Sequence, residues 1–311
     1  MNDHAVCLEG VTKSFGGQTA VSALDLAIPR GAIYGLLGPN GSGKTTTIRM
    51  IMGILGPDSG RVALFGGDPG ETRRRRVGYL PEERGLYRRM KVLEQLVFLA
   101  RIRGVSSRVA NERAMEWLER LELADHREKR LEDLSKGMQQ KVQFIGTVLH
   151  EPDLLILDEP FSGLDPINQD VLEDIVREFA GKGTTILFST HLMDQAERLC
   201  QRVCLISRSR KVLDGEIGAL KRAERLGVVA LDFEGSRDWL DLPQVTGVDE
   251  TPTGVRVRLR EGADPQLLLE AAMTARVRLG RFQVVEPRLH EIFVRHVRRD
   301  PSTEPVQGSV S

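Results

Sequence analysis

The 311-residue sequence has no long apolar run, no excess charge of either sign and almost no cysteine. No apolar stretch approaches the roughly 18 residues needed to cross a bilayer. Runs such as residues 154–157 and 267–269 are far shorter, so any work at a membrane requires a separate spanning partner. Lysine plus arginine and aspartate plus glutamate both number 44, giving a formal net charge of zero. Proteins that grip nucleic acid by bulk electrostatics are strongly basic, which disfavours that class. The run Arg73-Arg74-Arg75-Arg76 is a local exception, read as a solvated helix face with a binding role as the minor alternative. Three cysteines (Cys7, Cys200, Cys204) are too few for a disulfide framework. Without a companion histidine or cysteine cluster, Cys200 and Cys204 read as core residues rather than metal ligands. The first residues, Met1 to His4, carry no basic segment followed by an apolar stretch, so no signal peptide is expected and the cytosol is the expected compartment.

Hydrophobic residues make up 41% and charged residues 28%, a balance that suits folded globular domains. At roughly 150 residues per domain, the length suggests two. Residues 1–220 read as alternating strands and helices. Strands are expected at 32–37, 154–157, 184–189 and 202–206, with helices at 45–52 and 193–199. Such alternation predicts an α/β fold with a mostly parallel sheet. Between about 90 and 150 apolar residues recur at helical spacing (Leu93, Leu96, Val97, Ala100; Met115, Leu118, Leu121), which predicts a helical insertion. Residues 226–299 read as a small C-terminal α+β domain with strands at 228–233, 255–259 and 281–285 and a helix at 266–275. Residues 300–311 are polar and aperiodic and are expected to be disordered.

Gly38-Pro39-Asn40-Gly41-Ser42-Gly43-Lys44-Thr45 fits the pattern G-x-x-x-x-G-K-[ST], with a strand before it and a helix after it. The glycines let backbone N–H groups turn inward around a phosphate, and the helix adds the positive end of its dipole. Lys44 is then placed to reach the β- and γ-phosphates, and the Thr45 hydroxyl to ligate Mg²⁺. Asp158 and Glu159 follow the apolar run 154–157, at the mouth of a parallel strand where ligands of such sheets bind. Asp158 suits the magnesium-linked acid that accompanies a phosphate loop, and Glu159 a base that orients the attacking water. Taken alone, these features specify a nucleoside-triphosphate hydrolase and leave motor, kinase and GTPase open. Leu134-Ser135-Lys136-Gly137-Met138-Gln139 precedes another apolar helix, and Ser135 with Gly137 at its start makes a second anion site.

With that segment the sequence resembles the nucleotide-binding subunit of an ABC transporter across residues 5 to about 218. Residues 134–139 are similar to the family's signature motif, 154–160 to its Walker B segment, and Ser162-Gly163-Leu164-Asp165 to its D-loop. His191 matches its switch histidine and Phe15 the aromatic that stacks on adenine. The resemblance implies ATP and Mg²⁺ as cofactors, with Thr45, Asp158 and Glu82 around the metal. It also implies Thr46 beside the phosphate loop, and Lys44, Glu159 and His191 as the catalytic set. Two copies would dimerise head to tail, so that Ser135 and Gly137 of one complete the site built on Lys44 of the other, with Asp165 of the D-loop also among the nucleotide-binding residues. One chain carries every part, so a homodimer is the simplest assembly.

Two departures stand out. Glu82 occupies the position usually held by glutamine, and Lys136 and Met138 replace a typical glycine and glutamine of the signature. Residues 77–87 and the tail segment 286–293 look most like exporter subunits of the sodium-extrusion and antibiotic-efflux type. That implies an ABC-2-like transmembrane permease as partner, a place at the cytoplasmic face of the membrane and no nucleic-acid partner. A soluble ABC ATPase of translation or DNA repair is the alternative.

Overall fold

The computed structural model describes residues 3–70, 76–83, 85–224, 227–252, 254–260 and 262–299. Arg73, Arg74 and Arg75 of the basic run and the tail 300–311 lie outside them. Of that run Arg76 is described: it pairs with Asp153 at 2.6 Å and lies over the Phe65 ring at 3.8 Å. The chain divides into two compact units between Glu216 and Ile217.

The first unit is built on a six-stranded sheet in the order β5-β6-β7-β3-β8-β9. Its strands are β3 (Ile33–Leu37), β5 (Val77–Leu80), β6 (Leu154–Asp158), β7 (Thr185–Thr190), β8 (Arg202–Ser207) and β9 (Arg210–Glu216). All neighbours pair in parallel except β8 with β9. β3, β6 and β7 are buried at every position, which explains their apolar runs: both faces of the sheet are covered there. Each fully buried Leu or Ile contributes roughly 1.5–3 kcal/mol. Beside it lies a three-stranded antiparallel sheet, β2-β1-β4, formed by β1 (His4–Phe15), β2 (Gln18–Pro29) and β4 (Ser59–Leu64). Val6, Leu8, Leu24, Leu26 and Ile28 from these strands share one core with Tyr34, Leu36, Ile48 and Ile51.

The helices of this unit are α1 (Lys44–Ile51), α2 (Val92–Ile102), α3 (Ser107–Arg120), α4 (Lys136–Val148), α5 (Pro166–Gly181) and α6 (Met193–Leu199). The insertion expected at 90–150 is helical, made of α2, α3 and α4. Trp117 of α3 stacks on Phe179 of α5 with centroids 6.0 Å apart and meets Phe144 of α4 edge-on at 6.2 Å. Cys200 and Cys204 are buried free thiols, pushed up by burial, and no group of three or more histidine, cysteine, aspartate or glutamate side chains placed to hold a metal occurs among the described residues. No described helix is long and apolar enough to cross a membrane.

The second unit opens with α7 (Ile217–Ala223) and carries a four-stranded antiparallel sheet in the order β11-β12-β10-β13. These are β10 (Val228–Glu234), β11 (Val245–Thr251), β12 (Gly254–Leu259) and β13 (Arg278–Val284), with α8 (Gln266–Thr274) and α9 (Leu289–Arg299). Val229, Leu231, Val257 and Leu268 centre its core. Arg295 of α9 pairs with Glu224, just after α7, at 3.0 Å.

Candidate active site

β3 ends at Leu37 and the chain turns through residues 38–43 into α1. Gly43 caps that helix with φ 110°, and a Cβ there would fall 2.3 Å from the Ala20 carbonyl oxygen. Both its backbone angle and the approach of β2 therefore demand glycine. Against this turn lies a cavity of about 350 Å³ lined by Ala20, Asn40, Gly41, Gly43, Lys44, Thr45, Thr46, Glu82, Asp158 and Glu159. A helix N-terminus, a lysine and three carboxylates thus face one space from three separate chain segments.

Lys44 is 7% exposed, and its Nζ donates to the carbonyls of Gly38 at 2.8 Å and Pro39 at 3.2 Å. Burial pulls its pKa below the ordinary lysine value, while Glu159, Asp158 and Glu82 oppose that pull. Asp158 closes β6 and is 1% exposed. Burial pushes its carboxyl up, and Glu82 and Glu159 push the same way, against the Ser189 hydroxyl and Lys44. Among the described residues no donor, the nearby Ser189 hydroxyl included, meets either Asp158 oxygen in hydrogen-bond geometry. A buried carboxylate left so is costly, and a cation is what offsets the cost. Carboxylates from Asp158 and Glu82 with the Thr45 hydroxyl form a hard oxygen donor set, which fits a divalent cation such as Mg²⁺.

Glu159 sits at φ 49°, in the left-handed region, with its backbone N–H donating to the Ser189 carbonyl at 3.0 Å. Its Oε1 accepts from the His191 backbone N–H at 3.0 Å and lies 2.7 Å from His191 Nδ1. Thr190 Oγ1 stands 3.4 Å from Oε2. Such a backbone conformation costs of order 1–3 kcal/mol and is retained where surrounding bonds hold it. Here β7 and the turn after it do so, and the result is a carboxylate aimed at the cavity with an imidazole on its oxygen. That pair can take a proton from water and hold the resulting acid in place.

The remaining sequence candidates lie elsewhere. Ser135 caps α4, its Oγ accepting from Met138 N–H at 3.2 Å. Gly137 approaches the D-loop turn, its missing Cβ site 3.7 Å from the Gly163 carbonyl oxygen. Asp165 caps α5 by accepting from Asn168 N–H at 3.0 Å, and these bonds hold its carboxyl below the usual range. Phe15 ends β1 at 49% exposure with Lys13 Nζ 5.5 Å from its ring centroid. None of these four lines the cavity. Sequence reasoning missed Ala20, which β2 carries to the cavity wall and which has no chemical signature of its own. It also missed Gln195, whose Oε1 accepts from the Thr190 hydroxyl at 3.2 Å, five residues along the chain.

Known proteins share the sequence and the fold of this chain. The ABC transporter family profile matches residues 21–162, and a profile for the C-terminal domain of DrrA1-3-like ATP-binding proteins matches residues 215–297. An ABC transporter ATP-binding protein of Bacillus subtilis, YhaQ, is 42% identical over 293 residues, covering 93% of this chain and 97% of the relative. The daunorubicin/doxorubicin resistance ATP-binding protein DrrA of Streptomyces peucetius is 32% identical over 96% of this chain and 95% of its own. A Nod factor export ATP-binding protein I from Rhizobium sp. (strain N33) is 33% identical over 86% and 93%. Among solved structures, an ATP-binding subunit of an ABC transporter superposes with a TM-score of 0.66 at 30% identity, covering 70% of this chain and 92% of that one.

Proposed function

The chain belongs to the family of ABC transporter ATP-binding proteins, ATPases by family, and on that premise we propose that it is the motor of a membrane exporter. In this account ATP binds at the phosphate loop, Lys44 bonds the β- and γ-phosphates, and Glu159 is the base, oriented by His191. Thr45, Asp158 and Glu82 would hold Mg²⁺, which supplies charge neutralisation on the phosphate oxygens and fixes their orientation. Phe15 stacks on the adenine. Closure of the site waits for a second copy, whose Ser135, Gly137 and Asp165 approach the γ-phosphate.

What supports this most is the separation of Ser135 and Gly137 from a cavity that already contains lysine, hydroxyl and carboxylates. A second anion-binding helix end serves no nucleotide of its own chain and has a use when another chain presents one. Ile167, 77% exposed, and Leu192, 45% exposed, stand beside Asp165 and His191 in the chain and offer apolar surface for such a copy. ATP holds the two copies together and hydrolysis parts them, a population switch set by contacts made in one state and lost in the other.

The permease is of the ABC-2-like class, and the chain works at the cytoplasmic face of the membrane through it. Exposed Tyr87 (58%) and Ile102 (58%), close in sequence to the Glu82 loop and on α2, provide apolar surface for that partner. The matched relatives are transporter ATP-binding proteins, and DrrA and the Nod factor protein are named for resistance and export. An ATPase of translation or DNA repair has no support among them.

Glu159→Gln tests the assignment. Turnover should fall by roughly 10²–10⁴-fold, ATP binding should persist, and ATP should trap a dimer on a sizing column. Normal hydrolysis by that variant would remove Glu159 from the base role.

A further inference from the structure

We propose that Gln143 is a positioning residue that fixes Glu82 in the phosphate cavity and thereby ties the helix bearing Ser135 and Gly137 to the metal side of the chain's own site, an inference that rests on the role given to Glu82 above. β5 is an edge strand of its sheet, paired only with β6. Every second carbonyl on its outer side therefore needs a partner from elsewhere. α4 and the turn after it supply them. His150 Nε2 lies 3.2 Å from the Val77 carbonyl oxygen, and the Thr147 hydroxyl lies 3.5 Å from that of Tyr79. Gln143 Nε2 donates to Pro81 O at 3.2 Å and to Glu83 O at 3.3 Å. Acceptors at 77, 79, 81 and 83 follow the period of an extended chain, and donors at 143, 147 and 150 follow that of one helix face. The two backbones touch at Gly78, where a Cβ would meet the Thr147 carbonyl oxygen at 2.5 Å.

The uppermost rung differs from the others. One amide group grips the two carbonyls that flank Glu82, so the backbone carrying that carboxylate is clamped on both sides. Gln143 is 6% exposed, and its own Oε1 is buried without a hydrogen-bond partner. Its amide nitrogen is thus committed to the Glu82 loop while its oxygen goes without a donor, so it is that loop which sets the orientation of the group. One helical turn earlier, Gln140 Nε2 donates at 2.9 Å to the carbonyl of Pro160, the residue after Glu159. α4 thus reaches both loops that carry cavity carboxylates. The same helix begins two turns above Gln143 at Ser135, about 12 Å along its axis. Movement of α4 when Ser135 engages a nucleotide on another copy is transmitted to Glu82 through these amides.

Nucleotide affinity of the full-length chain, titrated against Mg²⁺, tests this. Four proteins are compared with the parent: Glu82→Ala, Gln143→Met, the double variant, and Thr147→Val as a rung that touches neither carboxylate loop. Gln143→Met should raise the Mg²⁺ midpoint about ten-fold, the size expected for loss of an outer-shell partner. Glu82→Ala should raise it at least as far, the double variant no further, and Thr147→Val should lower Tm while leaving the midpoint in place. Gln143→Ser serves in place of the methionine variant if the latter does not fold. A parental midpoint for Gln143→Met beside a shifted Glu82→Ala overturns the inference alone, as do additive shifts in the double variant. A parental midpoint for Glu82→Ala removes the metal role of Glu82 itself, and the inference with it.

Discussion

Single side chains in this protein are held in costly states where the chemistry requires them. Lys44 is buried and waits on two loop carbonyls, Asp158 is buried without a donor, and Glu159 keeps a left-handed backbone. In the proposed function a metal–nucleotide complex would relieve the first two, giving Lys44 a phosphate in place of carbonyls and Asp158 a cation. His150 shows the same tension away from the chemistry. Burial, with Arg103 nearby, lowers its pKa from 6.5 to about 4. The unfolded chain therefore binds a proton in that interval that the folded chain does not, so stability is complete above pH 6.5 and declines as the pH falls toward 4. The decline attributable to this group is roughly 2–3 kcal/mol. Urea unfolding of His150→Gln, which keeps a donor for the Val77 carbonyl, should show a shallower loss between pH 6.5 and 4. Curves that stay parallel to the parent's would mean that His150 is not the titrating group.

At the scale of elements, helix starts do double duty. Ser135 caps α4 through Met138 N–H, and in the proposed function it is also the side chain offered to a γ-phosphate. Ser135→Asp separates these roles, because aspartate caps a helix as well as serine does. Its Tm should stay near the parent's, whereas a carboxylate facing phosphate should cut turnover by roughly 10²–10³-fold. Full turnover in a stable Ser135→Asp protein would show that this helix end never meets the nucleotide. The elements that carry chemistry were also the legible ones. β6 is an unbroken apolar run because both its faces are covered, and the phosphate loop is a fixed string of glycines between a strand and a helix. Nine of the ten cavity-lining residues are ones the sequence had singled out, Ala20 being the other. The antiparallel sheet was not legible. β1 and β2 are 12 residues each, and register shifts around Leu8, Val11 and Lys13 break the alternation that marks a half-buried strand. β5 is four residues with a glycine inside, too short for any period. The Gln143 contacts escaped notice because a buried glutamine on an amphipathic helix has no pattern until its edge strand is known.

For the whole molecule the parts sum to an incomplete machine. The first unit holds a cavity able to bind and orient a triphosphate, while its second anion site opens elsewhere. The second unit has a core of its own. Residues 215–297, most of that unit, match the DrrA1-3-like C-terminal profile. Coupling through α4 then gives the two sites of a dimer a physical link, since the helix end serving one nucleotide is bonded to the carboxylate loops serving the other. The most direct measurement is specific ATPase activity of the purified chain over a dilution series, with the mass of the species followed in parallel. Activity per chain should fall with concentration and vanish once monomers alone remain. Undiminished activity per chain in a solution of monomers would contradict the account.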